Sequence, residues 1–356
     1  MHDRDSRGTP PGTRADAHQC LPARGIELAA VTTSAAGPAP ADPESPDPAD
    51  RPDPSVLSGR SDLSDASVPS DPSDPTGPGV TVRHTGAQAP ANLTSVLALV
   101  RRGQLKCSAT SQRPSEITVR MVEEVLADGD YYDDEPIAAF AWPLLLQSGG
   151  LALLEGTKMR LTARGRALLA EPEPAALDAA LAGLWTRWLT KAPIDELMRI
   201  EAIRGQRKPA TLTAPTKRRA AVVAGLAALP AEGWVPVDRL LRIVRNQEPP
   251  LIVPRNEAAL WRLYLEDPER GSLGHPGYGN WDILEGRYAL CVVFEYAVTL
   301  GLLDAAYCHP DDARDDFREN WGVEDYRYLS RYDGLLAVRR TPLGTAVFNP
   351  VTDDSE

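Results

Sequence analysis

From residue 92 onward the apolar positions follow helical and strand periods in an order that occurs twice. In the first copy, Asn92 caps a helix over LTSVLALVRRG that Gly103 closes. LKCS then alternates apolar and polar residues, as a short strand does. Pro114 and Ser115 open SEITVRMVEEVLADG, in which Ile117, Met121, Val125 and Leu126 share one face. The Asp-rich DGDYYDDEP is a loop. A third helix over 136–147, PIAAFAWPLLLQ, is apolar almost all round and ends at Gly149-Gly150. LALLEG and KMRLT flank a Gly-Thr turn as a hairpin, and RGRALLA closes the copy.

A helical stretch follows. In EPAALDAALAGLWTRWLTK, residues Leu177, Leu181, Leu184, Trp185 and Trp188 form one stripe. Pro193 starts a second helix, IDELMRIEAIRG, that Gly205 stops, and QRKPATLTAPTKRR is a basic run with two prolines. The second copy then reads as an Ala-rich helix over 217–229, a strand GWVPV and a helix over 238–245. After 246–281, Asp282 and Glu285 make a capping-box start to the third helix, LEGRYALCVVFEYAV. LLDAAY and GLLAVRR are its hairpin strands, with acidic segments between them.

Helix, strand, two helices and hairpin is the order of a winged helix. FAWPLLLQSGGLA, LTARGRALL, DELMRIEAIRGQ, GRYALCVVFEYAVTLGLLD and YLSRYDGLLAVRRTPLG resemble segments of uncharacterised bacterial tandem winged-helix proteins. More distantly they are similar to helicase-associated winged-helix domains. The resemblance spans roughly 93–348 and implies fold and a link to DNA transactions, with a helicase or similar complex as protein partner. It implies no catalytic or ligand-binding residues. The expected fold is mainly α with small β wings: winged-helix domains at 91–172 and 216–349, the latter with the insertion 246–281. A helical connector at 173–215 joins them.

Composition changes the picture at the ends. Residues 1–90 hold no Phe, Tyr or Trp before Gln88 and are dominated by Pro, Asp, Ser and Gly, so they are expected as a disordered tail; 350–356 is a second, short tail. The net charge of −12 is uneven. Basic against acidic residues number 7 and 13 over 1–90, 18 and 15 over 91–230, and 13 and 22 over 231–356. A polyanion-binding surface therefore belongs in the middle. Cys20, Cys107, Cys291 and Cys308 form no CxxC pair, which fits a reduced cytoplasmic setting. The most apolar run, 288–303, is short and contains Glu295, so no membrane span is expected.

Enzymatic chemistry finds little support. No GK[ST] occurs, which removes a Walker A loop, and no GxSxG occurs. GHPGYGN at 274–280 has no strand leading into it and reads as a turn rather than a dinucleotide loop. Cys308, His309, Asp311 and Asp312 are too close in sequence to converge on one ion, so neither metal nor cofactor is expected.

Two sets of candidate site residues remain. Arg204, Arg207, Lys208, Lys217, Arg218 and Arg219 around the connector, with Lys158, Arg160, Arg164 and Arg166 on the first wing and its exit, are suited to phosphate contact along a duplex backbone. The apolar third helices are unsuited to reading bases, so Phe140, Trp142, Leu145, Val292, Phe294 and Tyr296 are assigned to the core. Trp261, Tyr264, Tyr278 and Trp281 in the insertion fit either a partner-binding surface or a satellite core under a long loop. The expectation is a non-enzymatic, DNA-associated accessory protein that docks on a larger complex. The alternative is a protein-interaction module with no affinity for nucleic acid.

Overall fold

A computed structural model describes residues 74–349, apart from 192–193, 207–210, 276–280, 312, 321–322 and 324. Its architecture is helix-rich with small antiparallel sheets. The expected disorder of 1–73 lies outside the described residues.

The first repeat consists of α1 (Thr85–Arg101), a short extended segment at 105–107, α2 (Glu116–Glu123), α3 (Ala138–Ser148) and the hairpin β2 (Ala152–Glu155) and β3 (Lys158–Leu161). The extended segment bonds to the second hairpin strand, through Cys107 N to Thr157 O at 2.8 Å and Met159 N to Leu105 O at 3.0 Å. Next come α4 (Ala163–Ala170) and α5 (Pro174–Lys191). Gly165 lets α4 turn tightly onto the hairpin, since a Cβ there would lie 2.2 Å from Leu151 O.

The second repeat follows the same order. It has α6 (Pro215–Ala227), β5 (Val235–Pro236), α7 (Val237–Arg245), a long central helix over 282–298, and the hairpin β7 (Leu303–Tyr307) and β8 (Leu335–Arg340), closed by α10 (Pro342–Phe348). The first strand again pairs with the second hairpin strand, Val235 opposite Val338. The central helix winds as π-helix at both ends, Asp282–Gly286 and Val292–Val298, around one short α-helical stretch, α9 (Arg287–Cys291).

Five sequence expectations are corrected. The tail does not reach residue 90: β1 (Thr81–Arg83) pairs with β7, and α1 begins at Thr85. Val80 and Val82 pack beside Trp234, Ala306 and Ala337, a short apolar alternation hidden by the polar average around it. Asn92 lies inside α1, and its Oδ1 accepts from Ala127 N at 2.8 Å, so it ties helix to loop instead of capping. The helix expected over 194–205 is a 3₁₀ turn at Glu196–Arg199 followed by β4 (Ile203–Arg204). Gly205, at φ +86°, lies so close to Arg262 O that a Cβ would sit 1.9 Å from it, and this approach lets β4 pair with β6 (Tyr264–Leu265). Hence the 246–281 segment is not merely a loop: it supplies α8 (Glu257–Leu260) and β6. Finally, Glu285 does not complete a capping box; its Oε1 accepts from Val253 N at 2.9 Å.

One apolar core runs through both repeats. The expected stripe on α5, Leu177, Leu181, Leu184, Trp185 and Trp188, is buried, with Trp188 stacked on Trp185 at 5.3 Å and on Tyr296 at 4.2 Å. The helix between the repeats is thus part of the core. The two third helices, α3 and the central helix, pack against each other. Among the described residues no helix is long and apolar enough to cross a membrane.

Candidate nucleic-acid interface

Burial of the third helices sets what this protein has left to offer a ligand. In α3, residues 138–146 are buried and only Gln147 and Ser148 reach the surface in part. In the central helix everything from Ile283 to Val298 is buried, including Phe294 and Tyr296. Neither helix can enter a groove, and the apolar residues assigned to the core lie there.

Where the two repeats meet, charge is buried with its partner. Arg199 reaches from the 3₁₀ turn to Glu295 on the central helix at 2.9 Å, donates to Pro136 O at 2.9 Å, and lies 3.6 Å over the Phe140 ring. The Tyr332 hydroxyl donates to the same Glu295 carboxylate. Arg287 is likewise buried, between Asp333 at 3.1 Å and Asp316 at 2.5 Å. Partial burial works to raise the Asp316 carboxyl, but Arg287 and Arg314 win and hold it below the ordinary carboxylate range. Asp130 closes the N-terminus of α3 by accepting from Ile137, Ala138 and Ala139 N at 2.7–3.1 Å. A single Glu inside the apolar run 288–303 was the sequence signal for this buried polar layer: a charge there needs a partner brought from elsewhere.

The connector cations part company. Arg204 and Lys217 are exposed, and Arg207 and Lys208 lie outside the described residues. Arg218 and Arg219 are not a surface at all, each being only 1% exposed. Arg219 pairs with Glu196 at 2.6 Å and donates to Trp188 O and Ile194 O at 3.2 Å, while Tyr288 OH donates to the same Glu196 at 2.8 Å. Arg218 pairs with Asp195 and lies 4.8 Å over the Tyr288 ring. The acids that draw them inward stand more than twenty residues earlier, so the run TKRR read as surface when only its first cation is one.

On the hairpin of the first repeat and on α4 all four cations face solvent. In β3 the period of two puts Lys158 and Arg160 outward and Met159 and Leu161 inward. Thr162 caps α4 by accepting from Gly165 N at 3.1 Å, and α4 carries Arg164 and Arg166. A groove of about 470 Å³ runs between the hairpin, the end of α1 and the start of α4, lined by Arg101, Arg160 and Arg166 together with Leu153 and Glu155. Arg160 Nε pairs with Glu155 at 3.3 Å, and Arg166 donates to Leu161 O at 2.7 Å. Among the described residues Arg101, Lys158 and Arg164 have no carboxylate partner. Arg101 escaped the sequence reading; as a cation in the last turn of a helix it looked like an ordinary helix end.

The aromatic residues of the insertion do not form one surface. Trp261 is 42% exposed and meets His275 edge-on at 5.0 Å. Trp281 is half-buried under Arg245, at 5.3 Å, in a separate hollow with Asp238 and Arg314. Tyr264 sits on β6 opposite Arg204, and Tyr278 lies outside the described residues.

No family model, no curated protein and no solved structure matches the chain.

Proposed function

We propose that the two repeats are winged-helix modules packed third helix to third helix, and that the protein is a non-enzymatic accessory to DNA transactions. It contacts the duplex backbone through the first wing and docks on a larger complex. The observation that carries this reading is the division of the arginines: those of the first wing stand in solvent around an open groove, while both third helices are buried. Exposed guanidinium and ammonium groups bind phosphate without exact register, and without a reading helix the binding does not depend on sequence.

The test is binding to two unrelated duplexes across a salt series. Both should bind alike, with affinity falling steeply as salt rises. Changing Lys158, Arg160, Arg164 and Arg166 together to Glu should abolish binding at unchanged fold. No binding by the unmodified protein at low salt would leave the interaction-module reading in its place.

A further inference from the structure

Another concave site shares no lining residue with the groove beside the first hairpin. The loop before α2, the 3₁₀ turn with β4, and β6 border an open hollow of about 490 Å³, within the size range of small-ligand sites. Arg113, Arg204, Gln206, Tyr264, Met198 and Glu201 line it. The site joins one residue expected to touch nucleic acid, Arg204, to one expected to touch a partner, Tyr264, because the β4–β6 pairing sets them directly opposite.

Three features make this space more than a surface dent. Its charge balance favours an anion: among the described residues neither Arg113 nor Arg204 has a carboxylate partner, while Glu201 is engaged by Arg331 at 3.3 Å. Its aromatic wall is fixed, since the backbone of Tyr264 is bridged to Arg204 on one side and to Ser272 on the other. The third feature is the backbone. The two positive-φ non-glycine residues among those described are Gln112 (φ 59°) and Glu266 (φ 55°). One immediately precedes Arg113; the other stands two residues beyond Tyr264. Such conformations persist where the surrounding structure enforces them, and they gather at ligand sites. Gln147 Nε2 helps hold the first by donating to Gln112 O at 3.2 Å.

Two guanidinium groups, a tyrosine face and a thioether in one cavity match a phosphate carried on a flat ring. We propose that this cavity binds a nucleoside monophosphate unit, ring against Tyr264 and phosphate between Arg113 and Arg204. The unit is either a free nucleotide or one residue of a single strand. Base–aromatic stacking tolerates any base, and Arg is the side chain suited to planar recognition of phosphate. The site is separate from the wing and does not rest on the duplex-binding reading.

The test titrates adenosine 5′-monophosphate, inorganic phosphate and a short 5′-phosphorylated thymidine oligomer into the full chain by calorimetry. The monophosphate should bind saturably, and inorganic phosphate about tenfold or more weaker, because it lacks the ring. Tyr264→Ala should weaken the monophosphate about 5- to 100-fold, and Arg113→Ala with Arg204→Ala at least about tenfold. Both arginines are exposed, so thermal melts should match the parent. The charge-reversed wing should leave monophosphate binding intact, which separates this site from the duplex surface. Oligomer binding that survives wing reversal but falls with Tyr264→Ala assigns the site to a strand. Monophosphate binding alone assigns it to a free nucleotide. No saturable binding of either, affinities indifferent to the Arg113 and Arg204 changes, or inorganic phosphate binding as tightly as the monophosphate would overturn the proposal.

Discussion

Two runs of basic residues, equally conspicuous in the sequence, meet opposite fates. On β3 and α4 of the first repeat, Lys158, Arg160, Arg164 and Arg166 project into solvent. In TKRR at the start of α6, Lys217 does so too, but Arg218 and Arg219 are drawn into the core by Asp195 and Glu196. The difference does not lie in the runs themselves. It lies in whether the chain places carboxylates against them at long range. The hairpin strand β3 exposes every second residue to water by its geometry, whereas a helix wedged against α5 must bury whatever falls on its inner face. Basic density therefore marks a binding surface only after acids distant in sequence have been accounted for.

The sharpest way to break this comparison is to remove one cation of each kind. Arg219→Ala strands Glu196 in the core, leaving it the Tyr288 hydroxyl and its own backbone N–H. Breaking a buried pair from one side costs about 3–5 kcal/mol. Lys217→Ala, two residues away in the same run and exposed, should shift stability by less than about 0.5 kcal/mol. Urea unfolding of the two variants measures the gap. Equal midpoints would mean that Arg219 is no more buried than its neighbour.

A second contrast is pH. Glu285 tethers the 251–255 segment through Val253 N, and burial pushes its carboxyl up from 4.5 to about 7, against the opposing backbone bond and the weaker pulls of Arg218 and Arg245. A raised carboxyl favours the protonated form in the folded protein. Its contribution is complete below 4.5 and is lost as pH rises through about 7. Between pH 5 and 8 the parent should lose on the order of 3 kcal/mol more than Glu285→Gln, whose amide is neutral throughout. Urea melts at each pH read this directly, and parallel curves for the two proteins would show that Glu285 does not titrate in the fold. The exposed cations of β3 and α4 should contribute nothing to this difference.

The contrast also shows what the sequence disclosed and why it stopped. Elements with strong local period were legible: α3, the hairpin of the first repeat, the apolar stripe on α5, and the apolar nature of the central helix. That last feature already argued against base reading. What failed depended on contacts between distant segments. The 194–205 stretch has helical composition, but Arg199 and Glu196 are committed to partners 96 and 23 residues away, and Gly205 turns the chain toward β6. β1 was averaged away by the Pro- and Asp-rich residues before it. The exposure of Lys158 and Arg160 was visible because strand alternation alone produces it. The connector half of the candidate surface misled, because its fate was settled by acids outside the run.

The hairpin and α4 have their own internal support, and weakening it should have a smaller effect. Thr162 caps α4 by accepting from Gly165 N and donates to Gly150 O at 2.9 Å, joining the helix that carries Arg164 and Arg166 to the end of α3. Thr162→Ala should cost about 1 kcal/mol. It should also weaken duplex binding modestly, since fraying the first turn unsettles both arginines. Thr162→Ser keeps the hydroxyl and should restore both. Failure of the serine to rescue would point to the methyl group rather than the cap.

The finest test concerns a single charge. Arg164 is exposed, has no carboxylate partner among the described residues, and brings Nη2 close to Gly183 of α5. If it contacts one phosphate, Arg164→Gln should reduce the slope of log K against log salt by about 1 and weaken binding equally on every duplex. Stability should stay within about 0.5 kcal/mol of the parent, because no buried partner is left behind. Arg218→Gln makes the opposite prediction: a clear loss of stability, with the salt slope of the protein that remains folded unchanged. An altered slope in Arg218→Gln, or an unaltered one in Arg164→Gln, would show that exposure in the free protein is not what selects the phosphate contacts.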